Sequence, residues 1–191
     1  MRRAGALAAY LLIAAVYTWP LLPLSSTRIA QSPYDPILNT SILWWTATNT
    51  PFTERWWSPP YYHPSHDVMT FSENLLGVSV FATPIYWLTH NPLTAYNLSV
   101  YLAWPLSAFG VFLIVELLTG RRDAAFLGGL AFAFTPYRIA ELGHLQMLSS
   151  YWLLTRLIRS RLLAGEEEIS PSVIRMTLLL PPCMYWAAAT L

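Results

Sequence analysis

Asp35 stands in Tyr34-Asp35-Pro36, shortly after a long apolar N-terminal run and at the head of a segment with helical spacing. Two chemistries are open to it. An Asp at an N-cap followed by Pro at N1 starts a helix, its carboxylate satisfying orphan amides at the positive end of the dipole. A carboxylate at a membrane surface can also act as general base toward an acceptor hydroxyl, a role worth ~10²–10⁴ in rate. Glu73, in Phe71-Ser72-Glu73-Asn74, precedes a second apolar segment. A first-turn Glu or a Ser72 cap accounts for it. If both ends of the intervening segment close over one cavity, Asp35 and Glu73 could instead share a proton or a divalent cation.

Two further groups carry polar chemistry. Tyr61-Tyr62-His63-Pro64-Ser65-His66-Asp67 places two imidazoles near a carboxylate. Zinc sites on helices want a spacing such as H-E-x-x-H, and Pro64 interrupts this stretch, so an aromatic, Pro-stiffened loop lining a carbohydrate or lipid cleft fits better. Asn39, His63, His66 and Asn74 are the polar residues expected in that cleft. Arg138, Glu141 and His144 recur at three-residue steps after Pro136, a single polar stripe on a helix. Either Arg138 pairs with Glu141 at the outer interface, or Arg138 and His144 bind an anionic phosphate, for which Arg offers a bidentate fork.

The elements that must position these residues follow from composition. The 191 residues are 55% hydrophobic and 11% charged, with mean hydropathy +0.41, whereas a soluble domain carries about 25% charged residues. An average soluble globule is ruled out. The net charge of +1 gives no electrostatic footprint for nucleic acid. Cys183 stands alone, so neither an internal disulfide nor a thiolate metal site is available.

Apolar runs and Arg placement predict an all-α polytopic membrane protein with about five spans, each needing ~20 apolar residues, and a long extracytoplasmic first loop carrying interfacial helices. Residues 1–24 hold the first span, an uncleaved Ala4–Leu24 run behind Arg2-Arg3 rather than a signal peptide. Residues 25–92 form the loop. Within it, Pro36–Thr48 reads as an amphipathic interfacial helix with Ile37, Leu38, Ile42, Trp44 and Trp45 on its apolar face. Leu75–Leu88 is short for a span and reads as interfacial or re-entrant. Residues 93–191 hold four further spans: Leu93–Leu118, Ala124 to about Tyr137, about Leu145 to Leu157, and Val173–Leu191, kinked at Pro181-Pro182. This scheme puts Arg2-Arg3, Arg121-Arg122 and Arg156, Arg159 and Arg161 on the cytoplasmic side, as the positive-inside bias requires.

Together, Tyr34-Asp35-Pro36-Ile37-Leu38-Asn39, Ser72-Glu73-Asn74, Leu117-Leu118-Thr119-Gly120-Arg121-Arg122 and Gly143-His144-Leu145-Gln146 resemble the N-terminal module of GT-C membrane glycosyltransferases, in an uncharacterised bacterial branch. The resemblance covers roughly residues 1–155. It implies a bacterial inner-membrane enzyme that takes a sugar from a polyprenyl-phosphate donor to an acceptor on the outer face. By the same resemblance Asp35 is the catalytic base, Glu73 an auxiliary carboxylate, and Arg138 or His144 stabilises the departing phosphate, charge stabilisation worth ~2.7 kcal/mol or more per donor in a dry site. Membrane lipid is the other implied partner. Members of that family are much longer, so the chain is expected to be a truncated form or fragment. The alternative is a non-catalytic membrane protein binding lipid-linked glycans or a partner through the same loop.

Overall fold

The computed structural model describes residues 2–31, 34–71 and 73–163. These residues form helices and turns with no strand; the expected fifth span, Val173–Leu191, lies outside them. The spine is the helix Pro92–Thr119, α5, because its start and stop are both encoded. Asn91 Oδ1 accepts from the amides of Leu93 (2.9 Å) and Thr94 (3.2 Å), and Pro92 occupies the first turn. At the other end Gly120 takes the left-handed conformation (φ 66°) that closes a helix. α5 is the one helix among the described residues long and apolar enough to cross a membrane.

The other expected spans are shorter. Ala4–Leu24 gives α1, Arg3–Tyr17, which stops where Thr18 turns its hydroxyl back to Ala14 O (2.7 Å) and the chain enters a run of turns. Ala124–Tyr137 gives α6, Arg122–Ala133. Leu145–Leu157 is split into the short α8, Leu145–Leu148, and α9, Tyr151–Leu163. At 1.5 Å per residue, α1 covers ~22 Å and α6 ~18 Å, below the ~30 Å of a hydrocarbon core.

Around α5, α1 and α6 run antiparallel. Arg3 Nε and Arg122 Nε meet the two oxygens of Glu116 at 2.8 and 2.7 Å, and Tyr101 donates to Leu11 O at 2.9 Å farther along. α9 runs the other way, with Leu154 against Gly110 and Ile158 beside the Phe109–Leu113 cluster. It thus heads toward the Arg3–Glu116–Arg122 end. The α5–α6 contact depends on a missing side chain, since a Cβ on Gly129 would meet the Tyr10 hydroxyl and come within 2.5 Å of Ala108 O. Gly129→Ala is therefore expected to destabilise by ~1–3 kcal/mol, the usual range for overpacking against backbone. Gly128→Ala meets only Val115 Cγ2, at 3.3 Å, and should change the unfolding midpoint in micelles far less. Equal midpoints would show that α6 has room to move.

At the opposite end, α2 (Asp35–Thr48) and α4 (Leu76–Thr89) pack on the N-terminal half of α5. Val78 and Ala82 join Ala95, Tyr96, Val100 and Ala103 in one cluster, and no α4 residue enters the second cluster around Phe112. α2 corrects the amphipathic expectation. Asn39, Thr40 and Thr46 are buried with Ile42, Leu43 and Trp45, while Ile37 (52%) and Trp44 (39%) are exposed. The polar face can turn inward because each of its residues finds a hydrogen bond there: Thr40 donates to Pro36 O (2.7 Å), Thr46 Oγ1 accepts from Trp56 Nε1 (3.1 Å), and Asn39 Nδ2 donates to Gly143 O (3.2 Å), leaving Asn39 Oδ1 without a protein partner. Trp56 belongs to the single-turn α3, Glu54–Trp57.

Candidate functional site

Thr135 and Pro136 start a short helix, α7 (Pro136–Ala140), and the chain then closes a tight turn. Glu141 N donates to Tyr137 O (3.0 Å) and His144 N to Glu141 O (2.9 Å), which brings the two side chains onto one side. His144 Nδ1 lies 2.7 Å from Glu141 Oε2. From the far end of the chain, Asp35 Oδ2 approaches His144 Nε2 at 3.0 Å. The result is a carboxylate–imidazole–carboxylate row, with side-chain exposures of 56% at Asp35, 44% at His144 and 27% at Glu141.

Side chains from two segments clamp this turn. Asn39, one helical turn beyond Asp35, holds Gly143 O, and Gln31 Nε2 donates to Ala140 O (3.4 Å). A Cβ on Gly143 would sit 2.7 Å from Gln31 Oε1, so a side chain there would push the end of Gln31 aside. Asp35 makes no capping bond; it lies in the first turn of α2, with Tyr34 at the N-cap. Its carboxylate is directed to His144 instead, and Oδ1 has no hydrogen-bond partner among the described residues. Asn39 Oδ1, Tyr96 OH and Gln146 Oε1 are buried polar atoms without a protein partner, the kind of group that ordered water usually satisfies.

Beside the row opens a cleft of about 310 Å³. Tyr17, Trp19, Leu24, Trp104, Ile139 and Leu142 give it apolar walls, and Arg28 and Gln31 supply polar atoms. Gln31 thus borders both the cleft and the clamped turn. Arg28 is exposed and has no carboxylate partner among the described residues. The cleft is long on apolar surface and carries one cation, a composition suited to an amphiphile with an anionic head.

The other expected residues are placed differently. Arg138 is 5% exposed. Its Nη1 donates to Ser150 Oγ (2.9 Å), and its Nη2 reaches Leu148 O (2.8 Å), Ala103 O (3.2 Å) and Ser107 Oγ (3.2 Å). Its guanidinium also faces Trp104 at 5.4 Å. Burial lowers it to about 10, so it stays cationic at neutral pH while stitching α7, α5 and the end of α8. No Arg138–Glu141 pair forms, because Glu141 is committed to His144. Glu73 is half-buried ahead of α4, where Leu75 is the N-cap residue and the preceding Asn74 accepts from Leu76 N through Oδ1 (3.1 Å); Ser72 lies outside the described residues. His63 and His66 are exposed on the loop, and among the described residues no group of three or more His, Cys, Asp or Glu is placed to hold a metal ion.

Three contributors escape a reading by sequence alone. Glu141 was legible as the i−3 neighbour of His144, but not as its ion partner. Arg28 carries only the signal of one of two arginines, with Arg55, in a segment (residues 25–92) whose other charges are acidic, and Gln31 carries none. Compared with known proteins, the chain matches no family model, no curated protein and no solved structure.

Proposed function

We propose that this chain is, or belongs to, a polytopic membrane glycosyltransferase that moves a sugar from a polyprenyl-phosphate donor to an acceptor at the outer face of a bacterial cell membrane, with its N-terminus cytoplasmic. The observation that carries this reading is the Asp35–His144 contact at 3.0 Å beside an apolar cleft with an unpaired arginine. A membrane setting is supported by large apolar side chains pointing away from the bundle: Val16 (79%) on α1, Leu127 (65%) on α6, Leu153 (61%) on α9 and Leu88 (85%) on α4. In water such a surface would be an aggregation liability; against lipid it is ordinary.

In this reading the prenyl tail enters the cleft and Arg28 holds the phosphate. Asp35 Oδ1 takes the proton of the acceptor hydroxyl. The hydroxyl oxygen bonds to the anomeric carbon as the carbon–oxygen bond to phosphate breaks, and the phosphate leaves with the electron pair. Arg28 takes the phosphate role that the sequence offered to Arg138, since Arg138 is buried and both of its terminal nitrogens, Nη1 and Nη2, face protein acceptors. His144 becomes the partner of the base.

The test is transfer from a labelled polyprenyl-phosphate hexose in membranes expressing the complete gene. Transfer is expected, and Arg28→Ala should raise KM for the donor ~10-fold or more, the worth of a charge-assisted hydrogen bond of ~1.5–3 kcal/mol. No turnover with any such donor would sink the enzyme reading. Binding of the donor without turnover would assign the non-catalytic alternative.

A further inference from the structure

Asn97 is fully buried on α5, and its side-chain amide spends its hydrogen bonds on the 25–30 segment. Nδ2 donates to Ser25 O (2.8 Å) and Arg28 O (2.6 Å), and Oδ1 accepts from Ala30 N (3.1 Å). Only one orientation of the amide fits, since the flipped one sets an oxygen against two carbonyls and an NH2 group against an N–H. At the start of the same helix Asn91 adds a bond from Nδ2 to Ser26 O (3.0 Å). The main chain of Arg28 is thus held at both of its polar groups, the N–H by Leu24 O (2.9 Å) and the carbonyl by Asn97, while Arg28 itself borders the cleft. We infer that Asn97 is the positioning residue of the anionic-head site in that cleft: from α5 it fixes the backbone that carries Arg28, so that the guanidinium is in place before an amphiphile with a phosphate head arrives.

The segment needs an anchor from outside itself. Residues 18–27 run as successive turns, and their own bonds, such as Leu21 N to Thr18 O (2.8 Å) and Thr27 N to Leu24 O (3.0 Å), are local and set no position relative to the helices. α5, capped at its start and stopped at Gly120, supplies that position. Ordering a loose segment at the moment of binding costs conformational entropy, and a backbone fixed beforehand removes that cost from the affinity for the ligand. Asn97 does not itself line the cleft, so its effect on a ligand passes through the segment and Arg28. The apolar walls Trp104, Ile139 and Leu142 are carried by α5, α7 and the turn after it, and a neutral tail keeps them when the segment loosens. Loss of Asn97 therefore strikes recognition of the head more than that of the tail. Resting as it does on the phosphate role given to Arg28 in the proposed reading, this placement requires binding only and no turnover.

The test compares labelled polyprenyl phosphate with polyprenol of the same length, bound to the full chain in phosphatidylcholine nanodiscs, which hold no competing anionic lipid. Wild type is expected to prefer the phosphate ~10-fold or more, through a charge-assisted contact with Arg28. Asn97→Ala should cut that preference ~3–10-fold and change polyprenol affinity far less. Asn97→Ser, whose hydroxyl can still serve one of the two carbonyls, should fall between, and it decides the matter if Asn97→Ala does not fold. Because Asn97 acts through Arg28, adding either Asn97 substitution to Arg28→Ala should weaken phosphate binding no further than Arg28→Ala alone. Losses that add in the double variant, an equal weakening of both ligands, or a preference that both Asn97 variants leave unchanged would overturn the inference, as would a wild type that does not prefer the phosphate. A chain that transfers no sugar yet shows an Asn97-dependent preference for the phosphate would remove the transferase reading and uphold the placement of Arg28 by Asn97.

Discussion

Asp35→Asn is expected to leave the protein folded and inserted while lowering sugar transfer by ~10²-fold or more, the contribution of a positioned base. Asn suits the start of a helix about as well as Asp, and the bond that ties α2 to the turn, Asn39 Nδ2 to Gly143 O (3.2 Å), is untouched. What disappears is the charge and with it the capacity to take a proton. The structure sharpens this test, because the Asp35 side chain makes no capping bond and instead lies 3.0 Å from His144 Nε2. Transfer is read with the labelled donor, and insertion by protease protection or by circular dichroism of the purified variant. A variant working at close to the parental rate would remove Asp35 from the mechanism and make Glu73 the next carboxylate to replace.

Replacing Arg138 is expected to be the most damaging change to stability. Arg138→Met keeps much of the volume but strips the donors from Leu148 O, Ala103 O, Ser107 and Ser150. Buried acceptors left unmatched lose ~1–3 kcal/mol each, more where the lost donor was charged, and Ser107 and Ser150 can recover part of this through their mutual contact at 3.2 Å. A net loss of about 3 kcal/mol is expected, read as a lower unfolding midpoint in micelles. Arg138→Lys should recover only a minority of it, because an ammonium on a flexible stem cannot span acceptors on three elements as the planar fork does. A phosphate-binding Arg138 predicts the reverse pattern, in which donor KM rises and the midpoint holds.

How much of this was legible depends on how local the information is. α5, expected over Leu93–Leu118, spans Pro92–Thr119, and α4, expected over Leu75–Leu88, spans Leu76–Thr89, because apolar composition, Asn91, Pro92 and Gly120 act within a few residues. Short elements fared worse. The expected span through Leu145–Leu157 breaks at Ser149 and Ser150, where Ser150 serves Arg138 rather than a continuous helix. The inward turn of Asn39 on α2 was hidden for the same reason, since its partner Gly143 O lies far along the chain.

The sequence by itself determined the apolar helical character, the chemistry-bearing residue types and their local spacing, because helix propensity, capping and hydropathy are read over one or two turns. Only the tertiary structure decided which of those residues meet. It set Asp35 against His144, gave Glu141 to that histidine rather than to Arg138, and sealed Arg138 among carbonyls and hydroxyls. The physical reason is that a hydrogen bond between distant segments depends on how α2, α5 and the 141–144 turn pack together, and no periodicity in the chain encodes that packing.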